Sequence, residues 1–312
     1  MKLATFVRDD GTRAVGVVDT RLGQILDLAR SAAALALARP DFESMLDLID
    51  GGDAALDAAR AVAARWPAAY AQPLAGVRLL SPLPEPRQMR DCLVFEAHLL
   101  NAMKTWEKRT GKPSAPVSPV WYQRPTWYKC NRMSVVGHET DVRWPPFSEL
   151  MDYELELACV IGRRGCDIAR DQAMSHIFGF TIFNDFSARD VQMVERPLGM
   201  GPMKGKDFDT GNVLGPWIVT IDEIGDPHTL AMEVRVNGER RGGGNSSGMH
   251  HGFPDILAFI SQSETLYPGE VIASGTVGTG CGLEIDRFLE PGDVVELEIE
   301  RIGVLRNRIV RA

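Results

Sequence analysis

The sequence has little basic charge, no paired-cysteine motif and no long apolar run. Its 312 residues include 34 lysines and arginines against 42 aspartates and glutamates, so the formal net charge is −8. Nucleic-acid binding depends largely on basic side chains that neutralise phosphates, so this composition disfavours a nucleic-acid partner. The longest apolar run, residues 32–38, is far shorter than the roughly 20 residues that cross a bilayer. We therefore expect neither nucleic-acid nor membrane partners.

The five cysteines indicate neither a metal site nor a disulfide-stabilised fold. Their number is odd and none forms a C-x-x-C pair, which argues against a thiolate zinc site and against a complete disulfide framework. We expect them to be reduced and mostly buried. The first residues, MKLATFVRDDGTR, lack the apolar core of a signal peptide, and a cytoplasmic location is predicted.

The first eighty or so residues have the pattern of a small α+β unit. The predicted elements are strands at residues 2–8 and 14–19 and helices at 41–49 and 54–65. A proline-punctuated stretch at 79–86 is typical of an extended connector. It predicts two domains, residues 1–81 and residues 82–312.

The larger part is rich in short β-type runs between glycine, proline and asparagine turns. Its predicted strands are residues 155–161, 179–184, 216–221, 231–237, 271–274 and 294–299, with helices at 172–176 and 253–262. The fold class is therefore α+β and β-rich. Residues 242–248 are glycine-rich but lack the G-K-[ST] ending of a phosphate loop, so a mobile loop after a hairpin is predicted there.

Carboxylates lie at two places where predicted strands begin or end. In the alternating segment 152–157, Glu154 and Glu156 project from one face of a strand, about 7 Å apart. The apolar residues that follow favour a buried strand over a solvated one, and buried paired carboxylates need a cation or a shared proton. Asp185 ends another apolar run, where either a functional loop or a simple turn or helix cap is expected.

Four segments together resemble the fumarylacetoacetate hydrolase family. They occur in the family's order and cover the chain from about residue 82 onwards; the segments are Asp152–Ala158, Asn184–Gln192, Gly205–Phe208 and Thr265–Thr276. The resemblance implies a catalytic domain with a mixed β-sandwich roll, preceded by a small N-terminal α+β domain. It also implies a homodimer.

The resemblance implies an enzyme that acts on a small anionic oxo acid. The first expectation is a metal-dependent hydrolase that cleaves a carbon–carbon bond in a 1,3-dicarbonyl (2,4-dioxo) acid, such as an acylpyruvate or a fumarylacetoacetate-like compound. Decarboxylation, isomerisation or hydration of a 2-oxo acid on the same fold is the second. A non-catalytic protein that binds small acids is the third.

Four carboxylates resemble the family's metal ligands. They are Asp91, Glu154, Glu156 and Asp185. A set of hard oxygen ligands without histidine or cysteine suits Mg²⁺ best, with Mn²⁺ or Ca²⁺ as alternatives.

The remaining site residues also come from the resemblance. His98 follows Asp91 by seven residues, as in the fumarylacetoacetase-like branch, and resembles a general base that activates water. A structural histidine is the alternative for His98, and either Glu284 or Glu96 would orient the base. The residues that resemble the set around the substrate are Tyr128, Arg189, Gln192, Lys206 and Thr276.

Overall fold

The computed structural model describes residues 1–311. Its strands are β1 Lys2–Val7, β2 Arg13–Asp19, β3 Gln24–Asp27, β4 Ala71–Pro73, β5 Met89–Cys92, β6 Trp127–Lys129, β7 Val135–Val136, β8 Val142–Trp144, β9 Met151–Asp152, β10 Leu155–Ile161, β11 Ile177–Asp185, β12 Ser187–Ala188, β13 Asn212–Thr220, β14 Ala231–Val236, β15 Glu239–Asn245, β16 Val271–Ala273, β17 Val294–Ile299 and β18 Gly303–Arg311. Its helices are α1 Leu28–Ala34, α2 Met45–Asp50, α3 Gly52–Arg65, α4 Glu96–Thr110, α5 Pro119–Gln123, α6 Arg189–Glu195, α7 Met203–Lys206, α8 Ile221–Ile224, α9 Phe253–Ile260 and α10 Gly282–Ile285.

A large mixed sheet forms the centre of the molecule. Its order is β4-β3-β2-β1-β13-β11-β10-β16-β5-β6, with β7 added in parallel to β13. The three middle strands β10, β11 and β13 are buried along their whole length. Continuous apolar runs of this kind are expected where a strand is covered on both faces. A five-stranded sheet, β15-β14-β17-β18-β8, and the short pair β9-β12 complete the β structure.

The N-terminal strands belong to the large sheet. β1 pairs antiparallel with β13, with Lys2 opposite Val219, so the sheet continues across the connector at 79–86. Helices α1 to α3 pack against this part of the sheet through an apolar cluster that includes Phe42, Leu48 and Leu56. The division into domains at residue 81 stays a prediction.

Most predicted strands are confirmed within two or three residues. Residues 155–161 and 294–299 are strands with the predicted bounds, and the other four runs overlap β11, β13, β14 and β16. The predicted helix at 172–176 is a short 3₁₀ turn, Ala173–His176, and the one at 253–262 ends at Ile260. The 15-residue helix α4 was not among the predicted elements, because most of its apolar residues do not enter the core.

The prediction of a mobile loop at 242–248 is wrong. Residues 239–245 form strand β15 against β14, and a 3₁₀ turn follows at Ser246–Gly248. The glycines permit a close crossing of two segments, since a Cβ on Gly242 would lie 1.9 Å from the carbonyl oxygen of Thr279. A Cβ on Gly243, whose φ is +127°, would lie 2.2 Å from the carbonyl oxygen of Met232.

Two further expectations can be compared with the described residues. All five cysteines are free and four are buried, with Cys166 exposed, as predicted. Within residues 1–311, no helix has the length and apolar character needed to span a bilayer.

Candidate active site

Three carboxylates meet where neighbouring strands of the large sheet lie side by side. Asp91 is on β5, Glu156 near the start of β10 and Asp185 at the end of β11. The register places Leu155 opposite Asn184 on one side of β10, while β16 links β10 to β5 on the other. One oxygen from each of the three carboxylates lies within 4.8 Å of the other two.

Two oxygens of this group lack a hydrogen-bond partner among the described residues. They are Asp91 Oδ1 and Asp185 Oδ1, both fully buried. Buried polar atoms are normally satisfied, so such an oxygen indicates a missing partner. Burial, together with the negative charge of Asp185, raises the pKa of Asp91 well above its usual value. Burial and the charge of Asp91 do the same to the pKa of Glu156.

Glu154 has a different environment. It accepts a hydrogen bond from Arg189 Nη2 at 2.6 Å and another from Lys206 Nζ. Burial opposes its ionisation, but the charges of Arg189 and Lys206 outweigh burial and hold the pKa of Glu154 below its usual range. Lys206 also donates to Asp185 Oδ2 at 2.5 Å. These carboxylates raise the pKa of the Lys206 ammonium although burial alone would lower it.

The whole arrangement, hereafter the charged cluster, contains more carboxyl groups than cationic side chains. Its members are all buried and comprise five carboxylates and two cations: Asp91, Asp152, Glu154, Glu156, Asp185, Arg189 and Lys206. Arg189 contacts Asp152 and Glu154, and Lys206 contacts Glu154 and Asp185. Asp91 and Glu156 have no such cation among the described residues. Buried carboxylates without a cation are costly unless they share a proton or bind an ion, so the cluster is a candidate cation site.

His98 lies on the first turn of α4 and is buried. Its Nδ1 is 2.9 Å from Glu284 Oε1. The other oxygen of Glu284 accepts from Asn101 Nδ2 at 3.0 Å and from the backbone N–H of Thr279 at 2.6 Å, so the carboxylate is held in place. Of the two candidates for orienting His98, Glu284 therefore makes the contact. Glu96 instead accepts from the Tyr122 hydroxyl at 2.5 Å.

The remaining predicted residues surround the same space. The Tyr128 hydroxyl donates to Asp185 Oδ2 at 2.5 Å, and the Thr276 hydroxyl lies 3.3 Å from Glu156 Oε1. Burial, with the negative charge of Asp185, raises the pKa of Tyr128 well above its usual value, so this phenol stays protonated. Gln192 accepts a hydrogen bond from Arg189 Nη1 at 2.9 Å. The structure thus brings every predicted site residue together; Asp185 and Glu284 lie just behind the side chains that line the cavity.

A cavity of about 350 Å³ opens over the charged cluster and His98. One side of it is an apolar face of α4, hereafter the apolar wall, formed by Leu99, Ala102, Met103 and Trp106. Sequence reasoning did not identify these residues. Their i, i+3, i+4, i+7 spacing is the signal of a helix with one apolar face, and it starts at the residue after His98.

Comparison with known proteins assigns the family. The profile described as "Fumarylacetoacetate (FAA) hydrolase C-terminal" matches residues 95–310. The chain belongs to the fumarylacetoacetate hydrolase family, whose members include enzymes that act on small oxo acids.

Two relatives and one solved structure show how far the similarity extends. The human mitochondrial oxaloacetate tautomerase FAHD2A is 37% identical over 270 residues, which is 86% of this chain and 80% of that protein. The oxaloacetate tautomerase YisK of Bacillus subtilis is 31% identical over 296 residues, 92% of this chain and 93% of the relative. Maleylpyruvate hydrolase from Sphingobium sp. SYK-6, solved in complex with manganese(II) and pyruvate, superposes with a TM-score of 0.73 at 26% identity, covering all of both chains.

The residues present fit a divalent cation. The donors are carboxylate oxygens, which Mg²⁺ and Mn²⁺ prefer, and two of them lack any other partner. Asp91, Glu156 and Asp185 would hold the ion, with Glu154 beside them. A second group of potential ligands, His98, Cys281 and Glu284, is also within mutual reach. The hydrogen bonds of Glu284 to Asn101 and Thr279 already occupy much of that group.

Proposed function

We propose that the protein is a metal-dependent enzyme that interconverts the keto and enol forms of a small 2-oxo acid such as oxaloacetate. The observation that carries this proposal is that the His98–Glu284 pair and the charged cluster border one cavity. A tautomerase needs a group that moves a proton at carbon and a positive environment for the resulting negative charge. The names of the human and B. subtilis relatives support the same reaction.

We assign each side chain a role in this reaction. Asp91, Glu156 and Asp185 would hold a divalent cation, which would supply positive charge to stabilise the negative charge that develops on the substrate. Glu284 occupies Nδ1 of His98, so Nε2 is the nitrogen that removes the proton from the carbon next to the oxo group and returns it. Lys206 and Arg189 place positive charge where the enolate oxygen develops. Gln192 keeps Arg189 oriented through their 2.9 Å hydrogen bond.

Hydrolysis of a carbon–carbon bond in a 2,4-dioxo acid is the second candidate. The apolar wall favours it, because a four-carbon acid offers no apolar group to this face, whereas the acyl group of an acylpyruvate does. Cavities of this size commonly hold larger ligands. In this reaction His98 would activate water for attack on the distal carbonyl, and the products would be a carboxylic acid and pyruvate.

One experiment separates the two candidates. Oxaloacetate and a series of acylpyruvates are added to Mg²⁺-loaded protein in deuterated water and followed by proton NMR. Tautomerisation predicts accelerated exchange of the C3 protons of oxaloacetate without pyruvate formation. Hydrolysis predicts equal amounts of pyruvate and the released acid from an acylpyruvate. Tight pyruvate or oxalate binding without either reaction would favour a non-catalytic acid-binding protein.

The partners follow from the same reasoning. We propose a small anionic oxo acid as ligand and a homodimer as the assembled form. Exposed apolar side chains next to the cavity support the homodimer; they are Val194, Leu198 and Met200. Size-exclusion chromatography with light scattering tests it, and a monomer at micromolar concentration would contradict it. The cytoplasmic location stays a prediction.

A further inference from the structure

We infer that Asp152 is a positioning residue that fixes the base and the substrate-binding arginine relative to each other. This inference rests on the proposed function of His98 and Arg189. Asp152 ends the short strand β9, which pairs with β12 so that Asp152 lies opposite Ser187. Its side chain is completely buried, and it is a member of the charged cluster that does not line the cavity. It therefore acts through other residues and not on the substrate.

The first connection of Asp152 is to the arginine. Its Oδ2 accepts from Arg189 Nε at 2.8 Å. The other two nitrogens of the guanidinium donate to Glu154 and Gln192, at 2.6 and 2.9 Å. A guanidinium with its donors fixed in this way has one orientation, since its planar fork cannot rotate without breaking several bonds.

The second connection is to the segment that carries the partner of His98. Oδ1 of Asp152 accepts from the backbone N–H of Gly282 at 2.7 Å, and Oδ2 accepts from that of Leu283 at 2.9 Å. The next residue is Glu284, which contacts His98. One buried carboxylate thus holds the guanidinium and the backbone of α10 at a fixed separation.

The glycine at position 282 supports this reading independently. A Cβ there would lie 2.5 Å from Asp152 Oδ1 and 2.3 Å from the carbonyl oxygen of Arg287. Both distances are shorter than real Cβ contacts, so only glycine allows α10 to approach the carboxylate this closely. The chain has a second buried aspartate with similar chemistry but no connection to the site. Asp27 accepts from Arg8 Nε at 2.6 Å and from the backbone N–H of Arg30 at 3.1 Å, at the start of α1.

The test compares Asp152→Asn with the matched control Asp27→Asn in the full-length, Mg²⁺-loaded protein. In both variants an amide replaces a buried carboxylate that is paired with an arginine and accepts at least one backbone N–H. Asp152→Asn should raise KM and weaken pyruvate binding in calorimetry, because Arg189 loses its alignment. It should also lower kcat and shift the pH titration of the His98 ring in NMR, because Glu284 moves with α10. We expect kcat/KM to fall roughly 10- to 100-fold, the range seen when supporting partners of site residues are removed.

Asp27→Asn should leave KM, kcat, pyruvate affinity and the His98 titration unchanged, although it lowers the melting temperature. Gly282→Ala should lower kcat and shift the His98 titration with little change in KM, because the backbone of α10 has to move away.

If Asp152→Asn behaves like Asp27→Asn in all four readouts, Asp152 is only structural and the inference is wrong. If Asp152→Asn does not fold, an unaltered His98 titration in Gly282→Ala contradicts the inference instead. Should the wild-type protein turn over no oxo acid, the proposed function fails, while the His98 titration still decides the role of Asp152.

Discussion

The charged cluster and the apolar wall border the same cavity but differ in how the fold supports them. Side chains of the charged cluster come mostly from strands or strand ends in the middle of the molecule, and each is at most 6% exposed. The apolar wall comes from the single helix α4, of which only His98 and Thr105 are buried. The far end of α4 is attached by surface ion pairs from Lys108 and Arg109 to Asp286.

This difference separates the part of the site that sets the chemistry from the part that sets the substrate preference. Buried strands hold charges in fixed positions, as enolate chemistry requires. A half-exposed helix can change its side chains without disturbing those positions. We therefore expect changes in the charged cluster to lower turnover for every substrate and changes in the apolar wall to alter the order of preference among substrates.

Removal of the metal should have the largest effect. Dialysis against EDTA should reduce turnover of every oxo acid to the uncatalysed rate, and Mg²⁺ or Mn²⁺ should restore it. The physical reason is that Asp91 and Glu156 are buried without a cation among the described residues. Metal-free protein should also melt at a lower temperature than loaded protein, because binding to the folded state alone stabilises it. Full activity after exhaustive chelation would show that the cluster needs no ion.

Loss of the base should have the next largest effect. His98→Ala should lower kcat by roughly 10²- to 10⁴-fold, the usual contribution of a general acid–base group. Mg²⁺ affinity in calorimetry should stay within a few fold of wild type, because His98 contacts Glu284 and none of the three carboxylates. Near-normal turnover would mean that another group moves the proton.

Two glutamates in the same segment should differ in their effect on metal binding. Glu154→Gln should weaken Mg²⁺ binding by about 10- to 100-fold, as is usual when a residue beside the metal ligands is replaced. Glu156→Gln should weaken it more, because Glu156 lies in the group of three carboxylates while Glu154 is held by Arg189 and Lys206. Calorimetric titration of both variants measures the difference. The reverse order would place the ion on the Glu154 side of the cluster.

Substitutions in the apolar wall should have the smallest but most selective effect. Met103→Gln should reduce kcat/KM for acylpyruvates by about fourfold for each methylene that contacts the wall, and should leave oxaloacetate turnover unchanged, because it adds no charge to the cavity. Leu100→Gln is the matched control, since Leu100 is on the same helix, 40% exposed and not among the lining residues. An equal loss for all substrates in Met103→Gln would show that the apolar wall does not set substrate preference.

Sequence reasoning was most successful where chemistry and strand pattern coincide. The alternation around Glu154 and Glu156, followed by an apolar run, predicted a buried strand with two carboxylates, and β10 confirms the strand. The pairing of Glu154 with Arg189 and Lys206 could not be predicted, because no periodicity relates residues 35 and 52 positions apart. The His98–Glu284 contact spans 186 residues and depends on how α10 lies against α4.

Helix α4 and strand β15 are two elements that the local sequence pattern did not predict correctly. The apolar residues of α4 face a cavity instead of the core, so a helix with a weak core-facing pattern was overlooked. In β15, glycines that look like a flexible loop permit tight packing against residue 279. In both cases the role of these residues depends on a neighbour that is distant in sequence. A local sequence pattern holds no information about that neighbour.

Hydrogen exchange at C3 of oxaloacetate in deuterated water, measured with the same protein before and after metal removal, shows whether a bound cation and His98 together carry the reaction. We expect fast exchange with Mg²⁺-loaded wild type, the uncatalysed rate after EDTA, and the uncatalysed rate with loaded His98→Ala. Fast exchange in the metal-free protein or in His98→Ala would contradict this expectation.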